Sequence, residues 1–214
     1  TDNIRLGVFE GGQVPSCMKI FYIGCFAPIK GTTAGQATAA EIFSLLRSKS
    51  SSITGICFYS SSDRNVSSFF KANLSIDAIK IGIKVRLGAA VSFLVFPMSL
   101  STRFWLLSFV RRTNFDVIYC EFSQGLLLSI LMKMVFRRPL VISCPDVMVQ
   151  SYQRKYYAYS GFGKIIAGFE LLKLKIWERS LLGWCDLVVV QSFKDQALLA
   201  NLDNVVVIPP WFNR

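Results

Sequence analysis

The sequence contains no histidine among its 214 residues. Because Ser-His-Asp and Cys-His catalytic groups and most catalytic zinc sites need histidine, its absence excludes these arrangements. Cysteine is present, but no two of the six cysteines have the spacing of a metal knuckle or a CxxC redox pair. We therefore predict no metal site. We interpret the cysteines as reduced core thiols of a cytosolic protein; they are Cys17, Cys25, Cys57, Cys120, Cys144 and Cys185.

Acidic residues are scarce: 13 stand against 24 basic residues, and the net charge is +11. Such a surplus suits either nucleic acid or an anionic membrane surface as a partner. We predict no nucleic-acid partner, because zinc fingers, RNP motifs and basic zippers are absent. The hydrophobic fraction of 52% favours the membrane surface. The basic residues between positions 64 and 112 lie near aromatic ones; they are Arg64, Lys71, Lys80, Lys84, Arg86, Arg103, Arg111 and Arg112.

Long apolar runs are also missing. The longest uncharged stretches, residues 87–102 and 122–132, are shorter than the roughly 20 residues that a membrane span needs. No secretory signal is visible at the start. We therefore expect a cytoplasmic protein that is peripheral at the inner face of the membrane. An ordinary solvated basic face is the alternative interpretation of the 64–112 stretch.

The two ends of the sequence look unlike the rest. Residues 1–17 lack a starting methionine, and Met18 is followed directly by an apolar run. We interpret residues 1–17 as an upstream or expression remnant and residues 18–209 as one domain. Residues 210–214 follow a strand-like run and prolines. We interpret them as the start of a linker to a C-terminal domain that this chain does not contain.

Apolar runs alternate with amphipathic segments along the chain. Within each run the residues are continuously apolar and do not alternate with polar ones. Such runs predict parallel strands that are buried on both faces. We predict strands at 19–26, 53–59, 90–96, 116–120, 140–144, 187–190 and 205–208. We predict helices at 36–47, 74–87, 102–112, 125–136 and 194–202. The expected fold is α/β, a Rossmann-like doubly wound parallel sheet of about seven strands in a single domain.

A further long helix is predicted after a tyrosine-rich loop that holds Tyr152, Tyr156, Tyr157 and Tyr159. Its apolar residues recur at helical spacing. They are Phe162, Ile165, Ile166, Phe169, Leu172 and Ile176. We interpret this stripe as core, and a helix that lies in the membrane interface is the alternative.

Polar residues follow several predicted strands, where an open parallel sheet binds its ligands. The loop after the first strand offers small residues and a helix N-terminus to an anion through Gly31, Thr32, Thr33, Gly35 and Gln36. It matches neither GxGxxG nor the Walker pattern, and an ordinary turn explains it equally well. Glu121, Asp146 and Ser192 follow later strands. A carboxylate there could orient or deprotonate a hydroxyl, or it could be a solvated charge or a helix cap.

Four segments, in this order, resemble the N-terminal domain of glycosyltransferase family 4. They are the first strand with its Gly31–Gly35 loop, the FDVIY strand at 115–119, the passage ERSLLGWCDLVVVQS at 178–192, and NVVVIP at 204–209. The resemblance covers the chain from Met18 onward. It implies the acceptor-binding half of a GT-B enzyme in polysaccharide or glycan biosynthesis, with a saccharide or lipid-linked acceptor. The nucleotide-sugar donor would bind mainly the other half, and no cofactor is implied.

The sequence departs from this family where the fifth strand ends. The family commonly has a histidine followed by an acid, and here Pro145 precedes Asp146. The resemblance implies catalysis by a carboxylate, Asp146 before Glu121, and a nucleotide-sugar contact for the loop residues and Ser192. Two other interpretations stay open: a different nucleotide-binding Rossmann enzyme, and a non-catalytic membrane-associated domain.

Overall fold

The short apolar runs of the sequence form strands at the centre of the protein. Helices on both sides of the sheet bury these strands, which is why the runs are apolar throughout. The computed structural model describes residues 18–24, 34–59, 76–80, 113–144 and 147–209. The strands are β1 Lys19–Gly24, β2 Ser52–Tyr59, β3 Ile76–Lys80, β4 Val117–Glu121, β5 Leu140–Cys144, β6 Leu187–Val190 and β7 Val205–Val207. The helices are α1 Ala34–Lys49, α2 Leu126–Phe136, α3 Met148–Ala158, α4 Gly161–Leu182 and α5 Phe193–Leu198, with a 3-10 turn at Ser123–Gly125.

These strands form one parallel sheet in the order β3-β2-β1-β4-β5-β6-β7. The chain winds outward in one direction from β1 to β3 and in the other direction from β4 to β7. The winding therefore reverses between β1 and β4, where Gly24 and Glu121 are register partners. The expected fold, a Rossmann-like doubly wound α/β domain with about seven parallel strands, is confirmed.

The core lies between the sheet and its helices. Fully buried side chains from the inner strands pack against α2 and the end of α4, among them Phe21, Ile118, Ile142 and Val188 with Leu182. The three cysteines whose surroundings are described, Cys120, Cys144 and Cys185, are buried thiols outside any disulfide. The expectation of reduced core thiols is confirmed for these three.

One predicted helix is wrong where the structure describes it. Residues 76–80, predicted within a helix over 74–87, form the edge strand β3, which pairs in parallel with β2. The predicted strand at 90–96 and helix at 102–112 lie outside the described residues, as does most of the basic 64–112 stretch.

Two expectations about residues 148–182 are also wrong. The tyrosine-rich loop is mostly the helix α3, because Tyr152 and Tyr156 lie one turn apart and pack against α4. The apolar stripe of α4, predicted as core, is exposed along its whole length. The buried face of α4 is the opposite one, with Ala167, Leu171 and Leu174.

In the described part of the chain, helices fall short of the length and apolarity that crossing a bilayer requires.

Candidate functional site at the carboxyl edge of the sheet

The carboxyl ends of β1, β4, β5 and β6 meet at one edge, because all four strands are parallel. In open α/β sheets, ligands bind outside this edge at the point where the winding reverses. Glu121 is the last residue of β4, beside Gly24 of β1 and Ser143 of β5. The structure thus places a carboxyl group at the switch point of the sheet.

The Glu121 side chain is buried below the surface of this edge. The side chain is 0% exposed, and Tyr22 donates a hydrogen bond from its hydroxyl to Oε2. Among the described residues, none offers a hydrogen bond to Oε1. Burial raises the pKa of the Glu121 carboxyl well above its ordinary value, because the charged form loses its hydration. Glu121 is therefore neither a solvated loop charge nor a helix cap, the two ordinary roles considered from sequence.

A line of polar side chains runs from Glu121 across one face of the sheet. Tyr22 and Tyr119 stack with ring centroids 6.1 Å apart, and Tyr119 shares a side-chain hydrogen bond with Ser143. Burial also raises the pKa of Tyr119 above its ordinary value. Phe43 of α1 packs against this face; its ring meets the Tyr22 ring edge-on, with the ring centroids 5.2 Å apart. Tyr22 was missed from sequence, since a single tyrosine within an apolar strand gives no signal of its own.

Directly after Glu121 the backbone takes a conformation that side chains other than glycine rarely adopt. Phe122 has φ 65° and ψ 147°, which typically costs about 1–3 kcal/mol and clusters at functional sites. The strain is held by two backbone hydrogen bonds: Phe122 N–H donates to the Ser143 carbonyl at 2.9 Å, and its own carbonyl accepts from Gly125. This turn aims the chain from β4 into α2, and it buries Ser123.

Three of the other predicted site residues, Gly35, Gln36 and Ser192, have described positions after parallel strands. Gly35 and Gln36 lie in the first turn of α1. Ser192 caps α5: its hydroxyl accepts from the Asp195 amide at 3.1 Å and donates to the Asp195 carboxylate at 2.5 Å. Its contact with a nucleotide sugar stays a prediction. Residues 31–33, which hold Gly31, Thr32 and Thr33, and Asp146 lie outside the described residues.

Two acidic residues of the 178–192 passage have structural partners. Glu178, only 4% exposed, accepts a hydrogen bond from the Val149 amide at 3.0 Å and so holds the N-terminus of α3. Asp186 accepts from the Leu140 amide at 2.7 Å and pairs with Lys133 at 2.8 Å. These contacts join α4 to α3 and β6 to β5, so both residues bind other parts of the same domain.

No protein-family model and no curated protein matches the sequence. Solved structures do match its fold. HepE from Anabaena in complex with UDP and glucose is 14% identical, with a TM-score of 0.56 over 91% of this chain and 45% of its own. UGT2 from Phytolacca americana, complexed with UDP-2-fluoro-glucose and pterostilbene, is 13% identical, with a TM-score of 0.58 over 92% and 54%.

A third match is a UDP-glucosyltransferase from Polygonum tinctorium, capable of glucosylating indoxyl, in complex with 3,4-dichloroaniline. It is 13% identical, with a TM-score of 0.53 over 95% of this chain and 55% of its own. At these identities the likeness shows the fold alone. The chain spans about half the length of these structures, and its fold is similar to one half of a GT-B glycosyltransferase.

Proposed function

We propose that this chain is the N-terminal, acceptor-binding half of a family 4 glycosyltransferase. It would transfer a sugar from a nucleotide sugar to a saccharide or lipid-linked acceptor in polysaccharide or glycan biosynthesis. The observation that carries the proposal is the parallel sheet whose winding reverses at Glu121, in a fold similar to half of enzymes crystallised with UDP and sugar. The donor nucleotide would be held mainly by the second half of the enzyme.

In this proposal the two carboxyl groups have different tasks. Asp146, the second residue after β5, is the general base that orients or deprotonates the acceptor hydroxyl. Burial raises the pKa of the Glu121 carboxyl, and Glu121 lies with Tyr22 in the floor of the site, so it stands second to Asp146 as a base.

The first test concerns the division of labour between the halves. If the donor is held by the other half, this chain alone should transfer no sugar. The assay offers labelled UDP-glucose with saccharide and lipid-linked acceptors and measures transfer and donor hydrolysis. Sustained turnover by the isolated chain would refute the division.

The second test is Asp146→Asn in an enzyme that carries both halves. Loss of a general base typically lowers the rate by about 10²–10⁴-fold, and the melting temperature should stay near that of the wild type. Asp203→Asn is the matched control, because Asp203 is exposed and precedes β7, at the amino end of the strands. Equal turnover in the two variants would remove Asp146 from the mechanism.

A non-catalytic, membrane-associated domain is the alternative, and Pro145 in place of the family histidine favours it. The sugar-transfer assay distinguishes the enzyme from the non-catalytic domain. Transfer that depends on Asp146 supports the enzyme, whereas acceptor binding without transfer by the two-half protein supports the binding domain.

We also propose a peripheral position at the cytoplasmic face of the membrane. The support is the net charge of +11, because anionic lipids attract basic surfaces there.

A further inference from the structure

The outward face of α4 is apolar, which is the reverse of an ordinary surface helix. Its residues are between 49% and 76% exposed; they are Phe162, Ile165, Ile166, Phe169, Leu172 and Ile176. The inward face carries the two acidic residues of the helix, Glu170 and Glu178, at 7% and 4% exposed. A contiguous exposed apolar surface of this kind marks an interaction site.

The packing of α3 fixes this orientation of α4. Tyr152 packs with Leu171 and Leu174 in a small core between the two helices. Tyr156 lies so close to Gly168 that an added Cβ would approach its ring carbon Cε2 to 3.1 Å. Rotating α4 to bury its apolar stripe would break these contacts and expose Glu178, which bonds the start of α3. The apolar face is therefore turned outward by the fold itself.

The charge around this face has one sign. Within the described side chains of residues 148–182, every exposed ionisable group other than tyrosine is basic: Arg154, Lys155, Lys164 and Lys175. Lys155 and Lys164 lie over the rings of Tyr152 and Tyr156, 4.4 and 5.1 Å from the centroids. Two further exposed aromatic residues lie at the junction of the helices: Tyr157 near the end of α3 and Tyr159 in the turn.

We propose that the α3–α4 hairpin docks on an anionic phospholipid surface, with α4 lying in the plane of the interface. The apolar face would enter the boundary between headgroups and acyl chains, and the lysine and arginine heads would meet lipid phosphates. Tyrosine and phenylalanine at the turn suit the same boundary. This surface lies within the described residues, and most of the 64–112 stretch lies outside them.

The basic rim decides between lipid and a second copy of the chain. Two copies that met through this face would bring their basic rims together without exposed acidic partners in the described hairpins, and like charges there oppose association. An anionic membrane satisfies the apolar face and the rim at once. The inference deepens the membrane position of the proposed function, but it rests on the α3–α4 hairpin and does not require sugar transfer.

The test is sedimentation of the full chain with vesicles of phosphatidylcholine and phosphatidylglycerol, and with vesicles of phosphatidylcholine alone. We expect binding to the anionic vesicles that weakens as salt rises, since surface charges are screened over about 10 Å at 0.1 M. Phe162→Ser should lower the affinity by about tenfold. The control is Phe193→Ser on α5, because both phenylalanines are 76% exposed.

A second pair of variants tests the charge. Lys164→Glu with Lys175→Glu should lower anionic-vesicle binding by about tenfold or more. Arg47→Glu with Lys49→Glu, at the exposed end of α1, changes the net charge equally and should lower it far less. Circular dichroism verifies that all variants are folded.

Three outcomes would overturn the proposal. One is equal loss of binding in test and control variants, and another is equal binding to neutral and anionic vesicles. The third is a dimer that Phe162→Ser dissociates in a chain that binds no vesicles, which would assign the face to a second copy. Vesicle binding without any sugar transfer would retain this proposal and count against the proposed function alone.

Discussion

Replacing Glu121 by glutamine isolates the effect of one buried proton on stability. The Glu121 carboxyl is 0% exposed, and burial raises its pKa above the ordinary value of 4.5. The native state therefore binds this proton more tightly than the unfolded state. The bound proton stabilises the folded state fully below pH 4.5, the ordinary pKa of the carboxyl. This stabilisation is lost as the pH rises to the pKa that Glu121 has in the folded state. A single such group lowers the free energy of unfolding by about 1.4 kcal/mol per pH unit in this range.

Glutamine has the same shape, stays neutral and still accepts the hydrogen bond from Tyr22. We expect the Glu121→Gln variant to match the wild type in acid and to become progressively more stable than it as the pH rises. Urea unfolding of both proteins over a pH series measures this, because the difference between them cancels the titration of all other groups. A difference that stays constant with pH would refute the raised pKa of the Glu121 carboxyl in the folded state.

Tyr22→Phe is the companion variant, because it leaves the carboxyl group and removes its hydrogen-bond donor. It should lower stability by about 1–3 kcal/mol, the cost of an unsatisfied buried acceptor, and the loss should already be present at acid pH. A neutral effect there would show that the Tyr22 hydroxyl does not stabilise Glu121.

Three further substitutions test the local geometry. Arg137 ends α2 at φ 52° and ψ 42°, so Arg137→Gly should raise stability by about 1 kcal/mol in urea unfolding, and Arg137→Ala should not. Gly55→Ala would place a Cβ 1.9 Å from the Tyr22 carbonyl oxygen and should cost about 3 kcal/mol or more; a stable variant would contradict this close approach. Glu178→Gln removes the charge that holds the start of α3 and should cost about 0.5–2 kcal/mol, with faster hydrogen exchange at the Val149 amide.

Two strands of the sheet were predictable from sequence to the residue. Strands β5 and β6 occupy 140–144 and 187–190, as predicted. Each is a short continuous apolar run whose neighbours break the pattern, and a strand buried on both faces needs nothing else. The ends of the helices were less certain: α5, predicted over 194–202, ends at Leu198.

The errors arose where a pattern has two structural solutions. An apolar stripe at helical spacing shows that α4 is amphipathic, but the spacing is the same whether the stripe faces the core or a membrane. The outcome was decided by contacts distant in sequence, such as the bond between Glu178 and Val149 and the packing of Tyr156 on Gly168. Likewise, the burial of Glu121 depends on Tyr22, which is 99 residues away along the chain.

The residues that carry the resemblance to family 4 have uses within this domain that do not involve a ligand. Glu178 holds α3, Asp186 joins β6 to β5 through Leu140, and Ser192 caps α5. Any chain that folds into this half-domain benefits from these contacts, whatever reaction it serves. Their presence therefore supports the fold, and the matches to solved structures support the same conclusion and no more. In the proposed function the chemistry depends on the carboxyl edge, where Glu121 ends β4 at the switch point and residues 145–146 follow β5 in the sequence. Asp146→Asn therefore tests that function in a way that the motif cannot.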